Sequence, residues 1–512
     1  MRLKRIENTK RNIVTGEIDR FLGILLPFIV RTMMIHLMGA EYLGLTSLYY
    51  SILQMLNMAE MGFGAAIVYS MYKPIAENDT ATINALLKFY RTVYRVVGIV
   101  VTVVGIAIVP LLPHLIKDKA PEDVNIYIVY SIFLSNNFLN CFIYPNRRAL
   151  ISAFQREDLN LRMHIVVQLM MYGLQILFLI LAGGYYLYVL TIPFLTVSYA
   201  LLCNHQFKKY FGEYTEEGSL NTEVREDIKK QVAGLTVRRL AMYSRDTFDS
   251  MFVSAYLGLG INAIYGNYYY VMDSIVMIMA VIRSSMAGGV GNSIAMDSES
   301  KNIKDMHRIN FLFMVAGGWC TACLLCLYQP FMGIWVGEKM KLPFYMAIIF
   351  SAYFYILKMG DIRSLYAESV GIWWQGRYLA VFEAIANILL NWIFIKNFGL
   401  FGIVLATLIS YFIFNFIGGA FILYKYYFKH EKISVYFLKE AKYLIVTAGI
   451  CVITYFITSY IPDKGILLFI VKGIVCAIVP FILYVLIYIR SKEFKEAVPF
   501  LKGLINRKRT DK

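Results

Sequence analysis

Charge is what this chain has least of. Asp, Glu, Lys and Arg make up only 16% of its residues, against about 25% in soluble domains. Hydrophobic residues reach 59% and the mean hydropathy is +0.58, so the composition excludes an ordinary water-soluble domain. Histidine is scarce as well. The six His are scattered, and no pair has zinc-ligand spacing. There is no Walker-type phosphate loop and no nucleophile elbow. Nothing in the chain points to ATP hydrolysis or covalent catalysis, so no enzyme activity, cofactor or metal is expected. The seven cysteines, Cys141, Cys203, Cys320, Cys323, Cys326, Cys451 and Cys476, lie in or beside apolar blocks. Cys320, Cys323 and Cys326 have helical spacing but no neighbouring His or carboxylate, and they read as helix-packing residues rather than a metal site.

What is present is a succession of apolar blocks, each of about 20 residues or more, the length that crosses a ~30 Å hydrocarbon core. They predict an all-α integral membrane protein of about fourteen transmembrane helices, near 12–38, 42–72, 85–113, 124–152, 161–183, 186–207, 232–257, 262–295, 308–331, 344–369, 377–396, 400–425, 435–460 and 465–490. The first block runs past the length of a signal h-region and lacks a clear cleavage site, so it is expected to be a span.

The net charge of +16 has a topological explanation rather than a nucleic-acid one. With the N-terminus inside, the inner connections carry 30 Lys and Arg and the outer ones 6. That ratio places both termini in the cytoplasm and requires an even number of spans. The outer turns are near-minimal, as at Gly39–Tyr42, and leave no room for an extracellular catalytic domain. The longest connection, 208–231, is cytoplasmic and rich in Glu and Lys.

An internal repeat runs at an offset of 219. It pairs Lys10-Arg11-Asn12 with Lys229-Lys230-Gln231, Arg20 with Arg239, Gly39 with Gly258, and Tyr49-Tyr50 with Tyr268-Tyr269. Two parallel six-helix lobes are expected, 1–207 and 232–427, joined by a linker at 208–231. Residues 428–512 add two helices and a basic tail. Paired halves are a frequent transporter design, with the substrate site between them.

Charges that persist at membrane depth cost a few kcal/mol each and normally face a cavity or one another. The first span carries Arg20 and Arg31, with Pro27 between them. The second carries Glu60. The seventh carries Arg238, Arg239, Arg245, Asp246 and Asp249, and the eighth Asp273 and Arg283. The tenth carries Lys358, Asp361, Arg363 and Glu368, and the eleventh Glu383. Arg20, Arg238 and Arg239 sit near the cytoplasmic surface and read better as snorkelling or packing charges. Arg31, Arg245, Arg283, Lys358 and Arg363 lie deeper and are the expected substrate-binding cations of a wet chamber. Lys358 and Arg363 are five apart, about 140° around a helix, so one of that pair reads as structural. An Arg-rich chamber attracts anions, and Arg grips a diphosphate bidentately. The carboxylates Glu60, Asp246, Asp249, Asp273 and Asp361 either balance those cations or exchange coupling protons or sodium ions; the sequence leaves both open. The aromatic group Tyr265-Gly266-Asn267-Tyr268-Tyr269-Tyr270 reads as helix packing rather than sugar stacking.

Several segments carry a family resemblance. They are Arg31-Thr32 through Met38-Gly39-Ala40-Glu41-Tyr42-Leu43-Gly44-Leu45, Ala59-Glu60-Met61-Gly62-Phe63-Gly64 and Tyr72-Lys73-Pro74-Ile75-Ala76. In the second half they are Ser244-Arg245-Asp246 and Tyr265-Gly266-Asn267-Tyr268-Tyr269. Together they resemble the bacterial polysaccharide repeat-unit flippases of the multidrug/oligosaccharidyl-lipid/polysaccharide (MOP) exporter superfamily. The resemblance covers the chain in helix number and topology. It implies a MATE-like, V-shaped pair of lobes working by alternating access. It also implies an undecaprenyl-pyrophosphate-linked oligosaccharide as substrate, flipped for O-antigen, capsule or exopolysaccharide assembly, with polymerase and assembly proteins as partners alongside membrane lipids. Cavity arginines on the first and eighth helices are implied as well, for which Arg31 and Arg283 are the candidates. A cation-coupled drug or metabolite exporter on the same scaffold is the first alternative. A membrane-embedded polymerase or glycosyltransferase is the second, and the short outer loops count against it.

Overall fold

The computed structural model describes residues 5–57, 61–117, 120–181, 184–222, 225–226, 228, 247–372, 375–463, 465–497 and 499. All regular structure among them is helical. Nine helices among the described residues are long and apolar enough to cross a membrane, or ten if one bent pair counts as a single span. The chain is thus a multi-pass membrane protein. One of the nine, Arg377–Tyr426, runs for 50 residues. At 1.5 Å per residue that is more than twice the hydrocarbon thickness. Gly399 breaks it with φ +56°, and Asn387 Nδ2 donates to Thr407 Oγ1 across the break at 2.9 Å. The segment is therefore a helical hairpin, with its turn where the sequence predicts one at 396–400. The expected count of fourteen is not reached among the described residues: most of 232–257 lies outside them, the expected 42–72 span is two shorter helices, and Arg377–Tyr426 counts two expected spans as one.

The chain divides into two compact units, 1–263 and 264–512. Unit 1 begins with α1 (Arg5–Leu37), α2 (Ala40–Asn57), α3 (Met61–Glu77) and α4 (Thr80–Ile108), the last continued by a 3-10 turn. It goes on with α5 (Ile126–Phe142), α6 (Pro145–Ala153), α7 (Glu157–Leu181) and α8 (Tyr185–Phe211). The helices α5 and α6 meet at a 52° bend, where Tyr144 adopts a left-handed φ of +55° and Pro145 opens the new helix. The preset φ of Pro suits a first helical turn.

Unit 2 takes in most of α9 (Leu259–Met296), which begins just before the division. It holds α10 (Glu299–Trp335), α11 (Phe344–Met359), α12 (Asp361–Val370), α13 (Arg377–Ser410), a π-helical turn at Tyr411–Gly418, α14 (Gly419–Tyr426), α15 (Ile433–Ser459) and α16 (Gly465–Tyr488). The division falls at 263/264, later than the lobe start at 232 read from the sequence. The corner before α9 explains the difference. Asn262 Nδ2 donates to Gly44 O at 3.1 Å and accepts from Ser250 Oγ, and Lys117 N donates to Ser254 O. These bonds tie residues 250–262 to unit 1.

Lipid as solvent inverts the usual polarity of the helices. On α15 the buried face carries Glu440, Tyr443, Thr447, Thr454 and Thr458, while Ile445, Val452 and Phe456 are exposed. A polar group facing hydrocarbon would be left without partners, so it turns inward.

Candidate functional site

The charges expected at membrane depth come together best in unit 2, where α9, α11 and α12 meet. The break between α11 and α12 at Gly360 lets Asp361 start a new helix one turn beyond Lys358. Lys358 Nζ donates to Asp361 Oδ2 at 2.7 Å, and its side chain is only 3% exposed. Arg283, from α9, donates through Nε to the Asp361 carbonyl at 3.0 Å. Its Nη2 lies 2.8 Å from Glu368 Oε1, about two turns along α12 from Asp361, with the two side chains 20% and 27% exposed. Two cations and two carboxylates thus form a chain, Lys358–Asp361–Arg283–Glu368, that is dry at the lysine and open at the Arg283–Glu368 end. A pair buried only in part is locked in place less firmly than one buried throughout, because less desolvation has to be offset by its own attraction.

Arg363 behaves differently. It is 4% exposed, and its Nη2 donates to Asn415 Oδ1 and Ser364 Oγ, both at 3.0 Å. Asn415 belongs to the π-helical turn, and the guanidinium lies flat against Gly419. A Cβ on that glycine would stand 1.9 Å from Arg363 Nη1. π-turns re-aim side chains at special places in helices, and here the turn presents an amide oxygen to a buried cation. Of Lys358 and Arg363, both expected as substrate ligands, Arg363 is the more firmly pinned to its own unit.

The remaining expected residues are spread. Arg31 is half-buried on α1, within electrostatic range of Tyr188 on α8. Asp273 is half-buried on α9 and Asp249 is buried just before it. Glu60, Arg238, Arg239, Arg245 and Asp246 lie outside the described residues. Sequence reasoning missed two buried polar groups in unit 2, Asn310 and Glu440, and the half-buried Asn415. Asn310 donates to Glu440 on α15, a carboxylate 1% exposed, and Glu440 is within electrostatic range of Arg363. Asn415 was missed because an uncharged amide in an apolar run gives no periodic signal. Among the described residues no cluster of His, Cys and carboxylates is arranged to hold a metal ion.

No protein-family profile and no curated protein matches the sequence. Solved structures do. One is an inward-facing multidrug resistance MATE family transporter of the MOP superfamily, at 13% identity and TM-score 0.63, covering 83% of this chain and 98% of that one. Another is the lipid II flippase MurJ in an inward closed conformation, at 14% identity and TM-score 0.61, covering 93% of this chain and 98% of that one. A third is a MOP superfamily transporter from Pyrococcus furiosus whose description reports a reversed polarity of its binding pocket, at 13% identity and TM-score 0.54, covering 83% and 96%. The helical architecture read from the sequence is thus the fold shared by MATE transporters and the MurJ flippase.

Proposed function

We propose that this chain is a MOP-type flippase that moves a polyprenyl-diphosphate-linked oligosaccharide across the bacterial cytoplasmic membrane, both termini inside, for surface polysaccharide assembly. The observation that carries this reading is Arg283. Its orientation is set by the Asp361 carbonyl, while its exposed end is held by a carboxylate, Glu368, that a diphosphate would replace. Planar, bidentate grip of phosphate oxygens is what Arg does better than Lys. Lys358 and Asp361 hold the dry end of the cluster. Arg31 and Arg245 are the further cations we assign to substrate binding, and Arg363 is held by Asn415 and Ser364 within its own unit. Asp249, Asp273, Asp361, Glu60 and Asp246 serve charge balance or ion coupling. The fold likeness to MurJ, which covers 93% of this chain, supports a lipid-sized substrate.

A second reading has support of its own. Glu368 and Asp361 would serve a cationic substrate as well as Arg283 serves an anionic one, and the MATE structures share this fold. One experiment separates the two. In cells deleted for the gene, Arg283→Gln and Glu368→Gln are expressed at wild-type membrane levels, and surface polymer and drug tolerance are scored. The flippase reading expects Arg283→Gln to lose surface polymer and Glu368→Gln to keep part of it, with drug tolerance unchanged in both. Normal polymer with lost tolerance in Glu368→Gln would transfer the assignment to the exporter.

A further inference from the structure

A second cluster of cations lies in unit 1, far along the chain from the site just described and already filled by a carboxylate of the chain itself. After α8 the chain does not leave as a free linker. Thr215 N donates to Asn84 Oδ1 at 2.9 Å, and Tyr214 packs its ring on Phe154 at 5.6 Å. Gly218 takes a φ of +88°, and a Cβ on it would touch Ala85 of α4 at 3.5 Å. Leu220 and Ile228 close onto the core of α3, α4, α6 and α8. Between these anchors the Glu216 side chain turns inward. Its Oε2 accepts from Arg91 Nη1 of α4, and its Oε1 accepts from Asn146 Nδ2 of α6 at 2.9 Å. Arg147 Nε stands 3.8 Å from the same oxygen, and the Arg147 guanidinium is stacked 3.8 Å above the Tyr144 ring.

The carboxylate underfills this cradle. Arg147 Nε and Nη1 are both buried and neither has a hydrogen-bond partner among the described residues. Buried N–H groups on a charged guanidinium are costly to leave unmade. The carboxylate is drawn to Arg91 and Asn146 and stays 3.8 Å from Arg147 Nε, beyond hydrogen-bond reach. A phosphate offers more acceptors and more charge, enough to reach the two idle donors as well. The cradle also sits at the first turn of α6, whose start after Pro145 adds the positive end of a helix dipole. Lys88 and Arg95 extend from Arg91 along one face of α4, both exposed; a spacing of three and four residues puts them in one row. An anion approaching along that row would arrive at Arg91.

We infer that Arg91, Asn146 and Arg147 form a phosphate-binding cradle in unit 1, and that Glu216 is its built-in plug, displaced when a phosphate or diphosphate binds. Displacement needs only a rotation of the Glu216 side chain, because Thr215 and Gly218 anchor the backbone on either side. The ligand is either a free phosphate or pyrophosphate or the diphosphate headgroup of a lipid. The cradle lies at the end of unit 1 carrying the 73–84 and 147–162 connections, which the charge distribution assigns to the cytoplasm. The lipid-headgroup assignment rests on the flippase reading; the cradle itself does not.

The test uses the full chain in neutral-lipid nanodiscs with labelled inorganic pyrophosphate as the probe. Glu216→Gln removes the competing charge and is expected to bind pyrophosphate about tenfold more tightly than the wild type, the gain expected when one internal ligand is withdrawn. Adding Arg147→Gln to Glu216→Gln is expected to abolish that gain. Glu216→Asp keeps the charge but draws it back from Arg91, and it should show a smaller gain in the same direction. A second arm replaces some neutral lipid with a prenyl diphosphate. Competition against pyrophosphate there names the lipid headgroup, and its absence names the soluble anion. Equal affinity of wild type, Glu216→Gln and Glu216→Asp would overturn the plug. A gain that survives Arg147→Gln would overturn the cradle. Neither outcome depends on transport, so loss of polymer in Arg283→Gln and loss of the pyrophosphate gain can fail separately.

Discussion

Tyr49 and Tyr268, 219 residues apart, do the same job in their two units. Both are fully buried. The Tyr49 hydroxyl donates to Ile126 O at 2.8 Å, at the start of α5. The Tyr268 hydroxyl accepts from Leu342 N at 3.0 Å, just before α11. Tyr49 packs on Phe133 at 5.6 Å between ring centroids and Tyr268 on Phe350 at 5.7 Å. In each unit a tyrosine of the second span therefore fastens the entrance of the fourth. The preceding turns match as well: Gly39 and Gly258 end their helices with φ +119° and +98°.

The repeat predicts a cost in both units. Tyr49→Phe should lower stability by about 1 kcal/mol, the net worth of one hydrogen bond, and Tyr268→Phe by about 2 kcal/mol, since its hydroxyl also donates to Gln329 Oε1 at 3.3 Å. Tyr→Ala at either position should cost about 3–5 kcal/mol through the cavity it opens. Thermal unfolding of the purified chain in one detergent measures all four. A cost confined to one unit would mean that the match in sequence is not a match in structure.

Asp79 gives a pH prediction outside the membrane spans. It caps α4, with Oδ2 accepting from the Thr82 hydroxyl and Oδ1 from Thr82 N at 3.0 Å. The hydroxyl bond first, then the backbone bond, holds the Asp79 carboxyl below its ordinary value. A depressed folded value stabilises the cap above the unfolded carboxyl's value of about 3.9, and that stability is lost as pH falls through the folded value. Hydrogen exchange at amides 80–83 should therefore be faster in Asp79→Ala than in wild type at neutral pH, and the gap should close in acid. A gap that persists when the wild-type carboxyl is protonated would reject the cap as its source.

The fold was largely legible because a bilayer enforces one rule at every span, namely apolar length with cationic inner flanks. The hairpin turn at Gly399 and the start of α5 fall where the charge and glycine pattern put them. The candidate site was legible only in part. Arg283, Lys358, Asp361 and Glu368 stood out as charges in apolar runs, and they do meet. Their pairing was not readable, since it depends on the break at Gly360 that turns Asp361 toward both cations. Glu216 escaped notice because in a Glu-rich connection one more acid carries no signal. Its partners Arg91 and Arg147 gave little signal either, Arg147 having been absorbed into the positive-inside count. Membrane topology and anion binding ask for the same residue types at the same depth, and only side-chain geometry separates them.

The Lys358–Asp361 pair separates structural from substrate-binding charge. Lys358 is nearly inaccessible, so removing it alone strands a carboxylate and should cost about 3 kcal/mol. Lys358→Met combined with Asp361→Asn should recover most of that stability, because neither variant then leaves a buried charge. Thermal unfolding reads the recovery and surface polymer reads the function. Stability restored with transport restored makes the pair a packing device. Stability restored with transport still absent makes the pair part of the transport machinery, Lys358 as a headgroup ligand or Asp361 as its balancing or coupling carboxylate.

Gly419 tests whether Arg363 is fixed in place. An exposed glycine inside a helix usually gains up to about 1 kcal/mol on change to Ala, through lost freedom of the unfolded chain. Gly473 on α16 has open space around its missing Cβ, and Gly473→Ala should follow that rule. Gly419→Ala should do the reverse. Its Cβ would meet Arg363 Nη1 at 1.9 Å, and the guanidinium has nowhere to retreat while Asn415 and Ser364 hold it in a site 4% exposed. Overpacking of this kind costs about 1–3 kcal/mol. Arg363→Met in the Gly419→Ala background should relieve the clash and return part of that loss, measured as the shift in midpoint between single and double variants. If Gly419→Ala instead raises stability as Gly473→Ala does, the guanidinium swings clear without cost. Arg363 would then be a mobile cation, free to meet a substrate, rather than a pin between α12 and the π-turn.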